Sequence, residues 1–366
     1  MQRNQQPHAH YDSLDALRGI AAVIVLLFHL VVLSHYDLWT PINQTYLLRP
    51  LVAGASSVTV FFVLSGFVLY LSMQKAQEVN FGQYTLKRAL RLLPVYLVVM
   101  AFATPVYLAI GGSPLEGMSD EFSKQWTSPV DPAPLYCQLL LLCSADHYTI
   151  DTPTWSLMVE LRISLFFPLL AWFVSSGGRR FAALALFAAV GFFAFHVLQI
   201  RDDYDLVKSW SCLAYFLAGA LMAKYRSEGQ ALARKIPAPL AWLGFVMLVY
   251  AMTIQQERLF GLATAMAAIG VVFMTANFAP IARLVTSRTT LYLGRISYPL
   301  YLVHLPILMT SYIVLDGVLN RWLIMLLIIP CSIVAADVLH RYVEAPAMKL
   351  GRTLVGRRPD VVHKMV

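Results

Sequence analysis

The stretch from Leu14 to Leu30, LDALRGIAAVIVLLFHL, is apolar enough for a membrane span, yet it holds Arg18 near its start and His29 near its end. A helix needs roughly 20 residues to cross hydrocarbon about 30 Å thick. The stretch lacks a small-residue cleavage site, so we expect a retained first helix rather than a removed signal peptide. Ionisable side chains inside such a helix need a partner or a polar cavity, because charge is costly in hydrocarbon.

The composition extends this reading to the whole chain of 366 residues, which is 58% hydrophobic and 13% charged, with a mean hydropathy of +0.64. These values are typical of a membrane protein. They predict an all-α membrane protein, a polytopic bundle of about ten transmembrane helices within a single domain spanning 1–366. The expected spans are 16–35, 50–73, 86–110, 153–175, 180–199, 207–225, 238–254, 258–276, 294–314 and 321–340, with the bundle at 14–350 and tails at 1–13 and 351–366.

The distribution of cations predicts the orientation, because cytoplasmic loops retain Lys and Arg. A cytoplasmic N-terminus puts 21 of the 28 Lys and Arg residues inside, and an even number of spans returns the C-terminus to the cytoplasm. We therefore expect a multi-pass protein of the cytoplasmic (inner) membrane. The net charge of +8 is explained by this bias together with attraction to membrane lipid, and no nucleic-acid partner is expected.

The longest stretch between predicted spans, 111–152, is expected on the outer side. Within it the segment PLYCQLLLLC (134–143) is too short to span and indicates an interfacial or re-entrant helix. A loop of this length in a compact bundle is typical of a functional lid.

Polar groups in three spans are predicted to approach one zone. His29 lies about 16 Å beyond Arg18 along a straight helix. His304, in LGRISYPLYLVHLPILM, follows Gly294 by about 15 Å and reaches the same depth. Glu160, in TPTWSLMVELR, enters from the outer side and is expected somewhat above the two imidazoles. A lone histidine in a span more often serves helix packing or a proton relay, but two at one depth beside a carboxylate favour chemistry.

The segment YTLKRALRLLP puts Arg88 and Arg91 on one helix face. Such cations are often topology anchors, but guanidinium groups also bind phosphate oxygens, often in bidentate fashion. We interpret the pair as an anion clamp. A phosphorylated ligand entering from the cytoplasm, with a reactive end at mid-membrane beside imidazoles, has the shape of acyl-CoA.

Other polar residues are interpreted as structural. Ser65 and Gly66 predict a close helix contact. Asp337, His340 and Arg341 predict one polar cluster at the cytoplasmic end. Ser156 lacks a nucleophile-elbow context, so a serine-hydrolase triad is not expected.

The chain resembles the acyltransferase-3 family of integral membrane acyltransferases over nearly its whole length. The most specific marker is an Arg followed after ten residues by a His in the first span, here LRGIAAVIVLLFH, preceded by Asp15. The segments FFVLSGFVL, RALRLLPVYL, TPTWSLMVE, ISYPLYLVHLPI and RYVEAPAMKLG follow in the family's order.

The resemblance implies a ten-helix bundle that moves an acyl group, usually acetyl, from cytoplasmic acyl-CoA to a hydroxyl of an extracytoplasmic or lipid-linked glycan. By position it carries over to six residues: Arg18, His29, Arg88, Arg91, Glu160 and His304. The family commonly has Ser and polar residues where this chain has Met158, Leu161 and Arg162, which bears on acceptor recognition.

We hypothesise that His29 acts as the catalytic base or as an acyl carrier. Arg18, Arg88 and Arg91 are expected to bind the CoA phosphates. The roles of Glu160 and His304 each have two possibilities.

Glu160 is expected either to orient His29 or to bind the acceptor, and His304 either to polarise the thioester carbonyl or to position the acceptor hydroxyl. No metal is expected, because no ligand cluster has the usual spacing.

Two alternatives belong to other classes of protein. Intramembrane His and Glu also suit a proton-coupled secondary transporter or exporter. The third candidate is a non-catalytic subunit of polysaccharide assembly. The sequence leaves open the acceptor, the acyl chain and the oligomeric state.

Overall fold

The protein is helical throughout the part that a computed structural model describes, which is residues 11–34, 45, 47–75, 80–111, 115, 118–119, 122, 126, 138, 141, 150–200, 206–254 and 258–356. No strand occurs within these ranges. The α-helices are Asp12–Ser34 (α1), Gly54–Lys75 (α2), Phe81–Ile110 (α3), Thr154–Ser176 (α4), Gly178–His196 (α5), Leu206–Lys224 (α6), Arg226–Ala233 (α7), Ala238–Ala251 (α8), Arg258–Asn277 (α9), Ala279–Val285 (α10), Arg288–Leu315 (α11), Arg321–Leu339 (α12) and Ala345–Gly356 (α13).

The expectation of a polytopic helical bundle is confirmed. Among the described residues, eight helices are long and apolar enough to cross a membrane, and ten result if each of two bent pairs counts as one span. The bent pairs are α7 with α8, at 117°, and α9 with α10, at 100°. Prolines explain the breaks, since Pro237 directly precedes α8 and Pro280 lies in the first turn of α10.

The outer surface of the bundle is apolar, as lipid contact requires. Phe102 of α3 is 73% exposed and Phe166 of α4 is 66% exposed. Leu186 of α5 and Leu326 of α12 are also exposed. In water such side chains would be a large unfavourable surface, whereas lipid tails solvate them without cost.

The crossing of α1 and α11 brings two helix backbones into direct contact. A Cβ atom on Gly19 would lie 2.5 Å from the backbone nitrogen of Gly294 and 2.6 Å from the carbonyl oxygen of Thr290. Only glycine permits this approach. The two helices start at the same end of the bundle, so residues that follow these glycines by equal numbers reach equal depth.

A second close crossing joins α2 and α6. A Cβ atom on Gly66 would overlap the carbonyl of Phe216, and one on Gly219 would overlap the carbonyl of Val63. The prediction that Gly66 permits close helix approach is confirmed. Its neighbour Ser65 has a different contact, described below.

We call the end of the bundle where α1, α3 and α11 begin the basic end. It holds Arg18, Arg88, Arg91 and Arg295. After α12 the chain makes a π-helical turn at His340–Glu344 and continues into α13. The predicted tail 351–366 therefore begins as helix, up to Gly356, while residues 1–10 and 357–366 lie outside the described residues.

The opposite end of the bundle, which the sequence predicts to be the outer end, receives parts of the 111–152 stretch. Trp126 is fully buried and donates from Nε1 to the carbonyl of Ile150, at 2.9 Å. Gln138 is buried as well, and its Oε1 accepts from the backbone N–H of Ile150. The predicted short helix at 134–143 lies, apart from Gln138 and Leu141, outside the described residues.

Candidate active site

Two histidines meet in the centre of the bundle. His29 of α1 and His304 of α11 each follow, by ten residues, one of the glycines at which the helices cross. Nε2 of His304 lies 3.0 Å from Nδ1 of His29. His304 is 1% exposed. The predicted equality of depth is confirmed by this contact.

The backbone decides which ring nitrogens carry protons. Nδ1 of His304 lies 3.1 Å from the carbonyl oxygen of Leu300, and Nδ1 of His29 lies 3.1 Å from that of Val25. A carbonyl oxygen only accepts, so each Nδ1 is assigned as the N–H. Nδ1–H of His29 then also donates to Nε2 of His304. In this arrangement Nε2 of His29 keeps a free lone pair.

A cavity of about 640 Å³ opens at the basic end and runs between α1, α2, α3, α4 and α11. This volume falls within the range of about 300–1,000 Å³ typical of small-molecule sites. Its charged lining residues, with one histidine, are Asp15, Arg18, Arg91, Glu160, Arg295, His340 and Glu344. Its inner wall includes Ser156 and Tyr301, whose hydroxyl oxygens are 2.7 Å apart.

The cavity ends one helical turn short of the histidine pair. Tyr301 precedes His304 by three residues on α11, and their ring centroids are 6.1 Å apart. Neither His29 nor His304 lines the cavity. The predicted path from the arginines toward the imidazoles therefore exists up to Tyr301, which lies between the cavity and the pair.

Three arginines and three carboxylates line the cavity, and two of the carboxylates already have partners, Glu160 in Arg88 and Glu344 in His340. Arg91 has no hydrogen bond or ion pair with any described residue, and its electrostatic neighbours are two cations, Arg18 and Arg88, and two carboxylates, Glu160 and Glu344. Arg18 lies 3.6 Å from Asp15, which is longer than a hydrogen bond. Arg295 is exposed at the rim. Such a cluster favours a ligand that carries several negative charges.

Arg88 has a partner within the protein. One of its terminal nitrogens lies 3.0 Å from Oε1 of Glu160, and the same oxygen accepts from Ser65 at 3.1 Å. Glu160 lines the cavity, whereas Arg88 does not. The two arginines that the sequence assigned to one clamp thus have different surroundings.

The predicted depth of Glu160 is wrong. Ser156 contacts Tyr301, which lies one helical turn closer to the basic end than His304. Glu160 lies a further helical turn closer to the basic end than Ser156. The sequence-based estimate assumed that α4 begins at the membrane boundary. Thr154, the first residue of α4, is instead 0% exposed. The helix therefore starts inside the bundle, and Glu160 contacts Arg88 rather than His29.

The predicted polar cluster at the basic end divides in two. Arg341 pairs with Asp337 at 2.7 Å on the surface. His340 pairs instead with the buried Glu344, also at 2.7 Å, and both line the cavity.

Sequence reasoning assigned no chemistry to several residues that the structure brings to the cavity. They are Ser65, Ser156, Arg295, Tyr301 and Glu344. Each lies within or beside a segment that carries the family resemblance, and a hydroxyl or charge inside a span is the signal that could have identified it. Within the ranges that the structure covers, no group of three or more His, Cys, Asp or Glu side chains could hold a metal ion.

The fold and this site define a membrane-embedded enzyme, and comparison with known proteins gives its family. The family described as an acyltransferase domain matches residues 11–341. The chain belongs to this family and is an acyltransferase, rather than the secondary transporter or the non-catalytic subunit considered above.

Individual relatives match nearly the whole chain. The chain is similar to Nodulation protein 10 of Rhizobium leguminosarum bv. viciae, with 25% identity over 98% of this chain and 99% of the relative. It is also similar to Acyltransferase MdmB of Streptomyces mycarofaciens, with 26% identity over 95% and 93% of the two chains.

A longer relative from Staphylococcus aureus (strain COL), whose name contains the term O-acetyltransferase, is 21% identical over 98% of this chain, which spans 60% of its length. No solved structure matches the chain.

Proposed function

We propose that the protein is a membrane O-acyltransferase that moves an acyl group, acetyl in the simplest case, from cytoplasmic acyl-CoA to a hydroxyl of an extracytoplasmic or lipid-linked glycan. The observation that carries the proposal is the histidine pair one turn beyond a cavity whose wide end is lined by arginines. This arrangement fits a donor whose multiply charged head lies among the arginines and whose narrow reactive arm extends toward the histidines.

The basic end is assigned to the cytoplasm of an inner-membrane protein. Lys and Arg are retained on that side during membrane insertion, and acyl-CoA is supplied there. The acceptor then approaches from the outer end. Surface glycans such as lipopolysaccharide or exopolysaccharide fit that geometry, and the term O-acetyltransferase in the name of the Staphylococcus aureus relative supports acetyl transfer to oxygen.

Arg91, Arg18 and Arg295 bind the phosphates of the donor in this proposal. Arg91 forms no hydrogen bond or ion pair with a described residue, so its N–H groups can form charge-assisted hydrogen bonds with phosphate. Arg88 takes a different role from the one expected from the sequence. It neutralises Glu160, which lines the cavity together with Ser65.

His29 is the proposed catalytic base. Its Nε2 lone pair accepts the proton of the acceptor hydroxyl while the hydroxyl oxygen attacks the thioester carbonyl carbon. The carbon–sulfur bond then breaks, and the imidazolium returns the proton to the leaving thiolate. In a relay mechanism Nε2 attacks the thioester carbonyl carbon, the carbon–sulfur bond breaks and CoA leaves as a thiolate. The acceptor hydroxyl oxygen then attacks the acyl carbon, the carbon–nitrogen bond breaks, and the hydroxyl proton passes to the thiolate.

His304 holds His29 in the productive tautomer, since its Nε2 accepts from Nδ1–H of His29. This role resembles that of the buried carboxylate in a serine-protease triad. Tyr301 and Ser156 form the inner wall, where the thioester carbonyl would lie. Their hydroxyls are held by each other and by the carbonyl oxygen of Pro153.

Purified protein tests the proposal directly. In detergent or nanodiscs with acetyl-CoA labelled in the acetyl group, addition of envelope glycan should release free CoA and label the glycan. His29→Ala should lower this transfer by about 10²–10⁴, the usual contribution of a general base.

His196→Ala is the matched control, because His196 contacts Tyr215 at 3.2 Å in another part of the bundle. The control should transfer at the wild-type rate. Wild-type transfer by His29→Ala at equal protein level, or the absence of glycan-dependent CoA release from the wild type, would refute the proposal.

A further inference from the structure

Asp151 is a buried acid that the mechanism above does not use. It lies three residues before α4, and its side chain is 0% exposed. Among the residues that the structure describes, neither carboxyl oxygen has a hydrogen-bond partner. Buried polar atoms without partners are rare in folded proteins, and each calls for an explanation.

The backbone, and not the carboxyl group, holds this segment in place. The carbonyl oxygen of Asp151 accepts from Oγ1 of Thr154 at 2.6 Å and from Nε2 of Gln138 at 3.2 Å. An isosteric asparagine would keep both bonds. The acidic side chain is therefore not needed for the local fold.

Asp151 lies beside the inner wall of the site. Two residues further on, the carbonyl oxygen of Pro153 accepts from the hydroxyl of Tyr301 at 3.1 Å. Asp151 is also within electrostatic reach of Tyr301. The segment 151–156 thus contacts Tyr301, the residue that separates the donor cavity from the histidines.

The depth of Asp151 follows from the contact between Ser156 and Tyr301. Outward from that contact, His304 lies about 4.5 Å further along α11. Asp151 precedes Ser156 by five residues, about 7.5 Å at helical rise, and lies outward of it because α4 runs in the opposite direction to α11. Its backbone is therefore about 3 Å further from the basic end than that of His304, on the side away from the donor cavity.

We propose that Asp151 binds the hydroxyl groups of the acceptor. The inference rests on the proposed function, since it gives the acceptor a position opposite the donor. Two carboxyl oxygens without donors suit a neighbouring pair of sugar hydroxyls, and the described residues place no cation in hydrogen-bond contact with them that would compete. The group that accepts the acyl chain would then be held next to His29 from the outer end.

Complementation of a deletion strain tests this site without knowledge of the acceptor. The acyl content of envelope glycans is measured by mass spectrometry for wild type, Asp151→Asn and a matched control, Asp316→Asn. Asp316 lies at the same outer end but forms a two-pronged ion pair with Arg321, at 2.6 and 2.9 Å. The purified proteins are compared in CoA affinity and melting temperature.

Asp151→Asn should lower glycan acylation by about 10- to 100-fold, as expected when hydrogen bonds to an acidic group are lost. Its CoA affinity and melting temperature should equal those of the wild type. Asp316→Asn should show the reverse, with a lower melting temperature and normal acylation.

Normal acylation by Asp151→Asn would overturn the inference and leave the proposed function intact. A fall in its melting temperature together with its acylation would assign Asp151 a structural role and overturn it as well. Failure of the proposed function is a separate result, because wild-type glycans would then match those of the deletion strain before any variant was compared.

Discussion

Nε2 of His304 lies 3.0 Å from Nδ1 of His29, and both Nδ1 atoms face backbone carbonyl oxygens of their own helices. This geometry defines one histidine with a free Nε2 and a second that supports it. The two therefore have different expected responses to substitution.

His304→Leu should lower kcat by up to about 10⁴, the cost of a wrong imidazole tautomer in a comparable triad. KM for acyl-CoA should stay unchanged, because His304 does not line the donor cavity. His304→Gln should retain more activity than His304→Leu, since its amide oxygen can still accept from Nδ1–H of His29. Steady-state kinetics with equal amounts of folded protein separate the cases. Equal kcat for the leucine variant and the wild type would contradict the role.

Arg91→Ala should weaken CoA binding by about 10- to 100-fold, the loss expected for one charge-assisted hydrogen-bonding group. Isothermal titration with CoA in nanodiscs measures the dissociation constant. Arg180→Ala is the control, because Arg180 lies over the ring of Trp172 at 4.9 Å and does not line the cavity. A dissociation constant unchanged by Arg91→Ala would remove this arginine from the donor site.

The pair of Arg88 and Glu160 should show coupled stability. Arg88→Met leaves a carboxylate in the bundle without its cation, and Glu160→Gln leaves the guanidinium without its anion, so each should lower the melting temperature. The double variant should recover part of the loss.

Arg341→Met is the comparison, because Arg341 pairs with Asp337 while its side chain is 65% exposed. Exposed pairs contribute little, so its melting temperature should change little. Additive losses in the Arg88 and Glu160 double variant would show that the two side chains do not interact.

Gly19→Ala should lower both the melting temperature and kcat. The new Cβ atom would lie 2.5 Å from the backbone nitrogen of Gly294, so α1 and α11 must separate and carry the histidines apart.

Gly244→Ala is the matched control, because no atom lies within 4 Å of its added Cβ. It lies within α8, where alanine favours the helix by about 0.5–1 kcal/mol over glycine, so its melting temperature should stay the same or rise. Wild-type activity in Gly19→Ala would show that the close crossing is not required.

Much of the fold follows from the sequence, because hydropathy and helix rise are local properties. The spans and the equal depth of His29 and His304 depend on little else. The position of Glu160 depends on where α4 begins, and that is set by Thr154 and Asp151 being packed inside the bundle. The choice of partner for Arg88 is equally a property of packing between helices, which spacing along one helix does not reveal.

The central claim is that the donor lies between the arginines of the basic end and Tyr301, with its acyl group facing His29. A cryo-EM map of the protein with a non-hydrolysable acetyl-CoA analogue tests it most directly. The account predicts phosphate oxygens about 3 Å from Arg91 and Arg18 and the acyl carbonyl beside the Tyr301 hydroxyl. An analogue bound outside the cavity, or with its acyl end at the basic rim and its phosphates elsewhere, would contradict it.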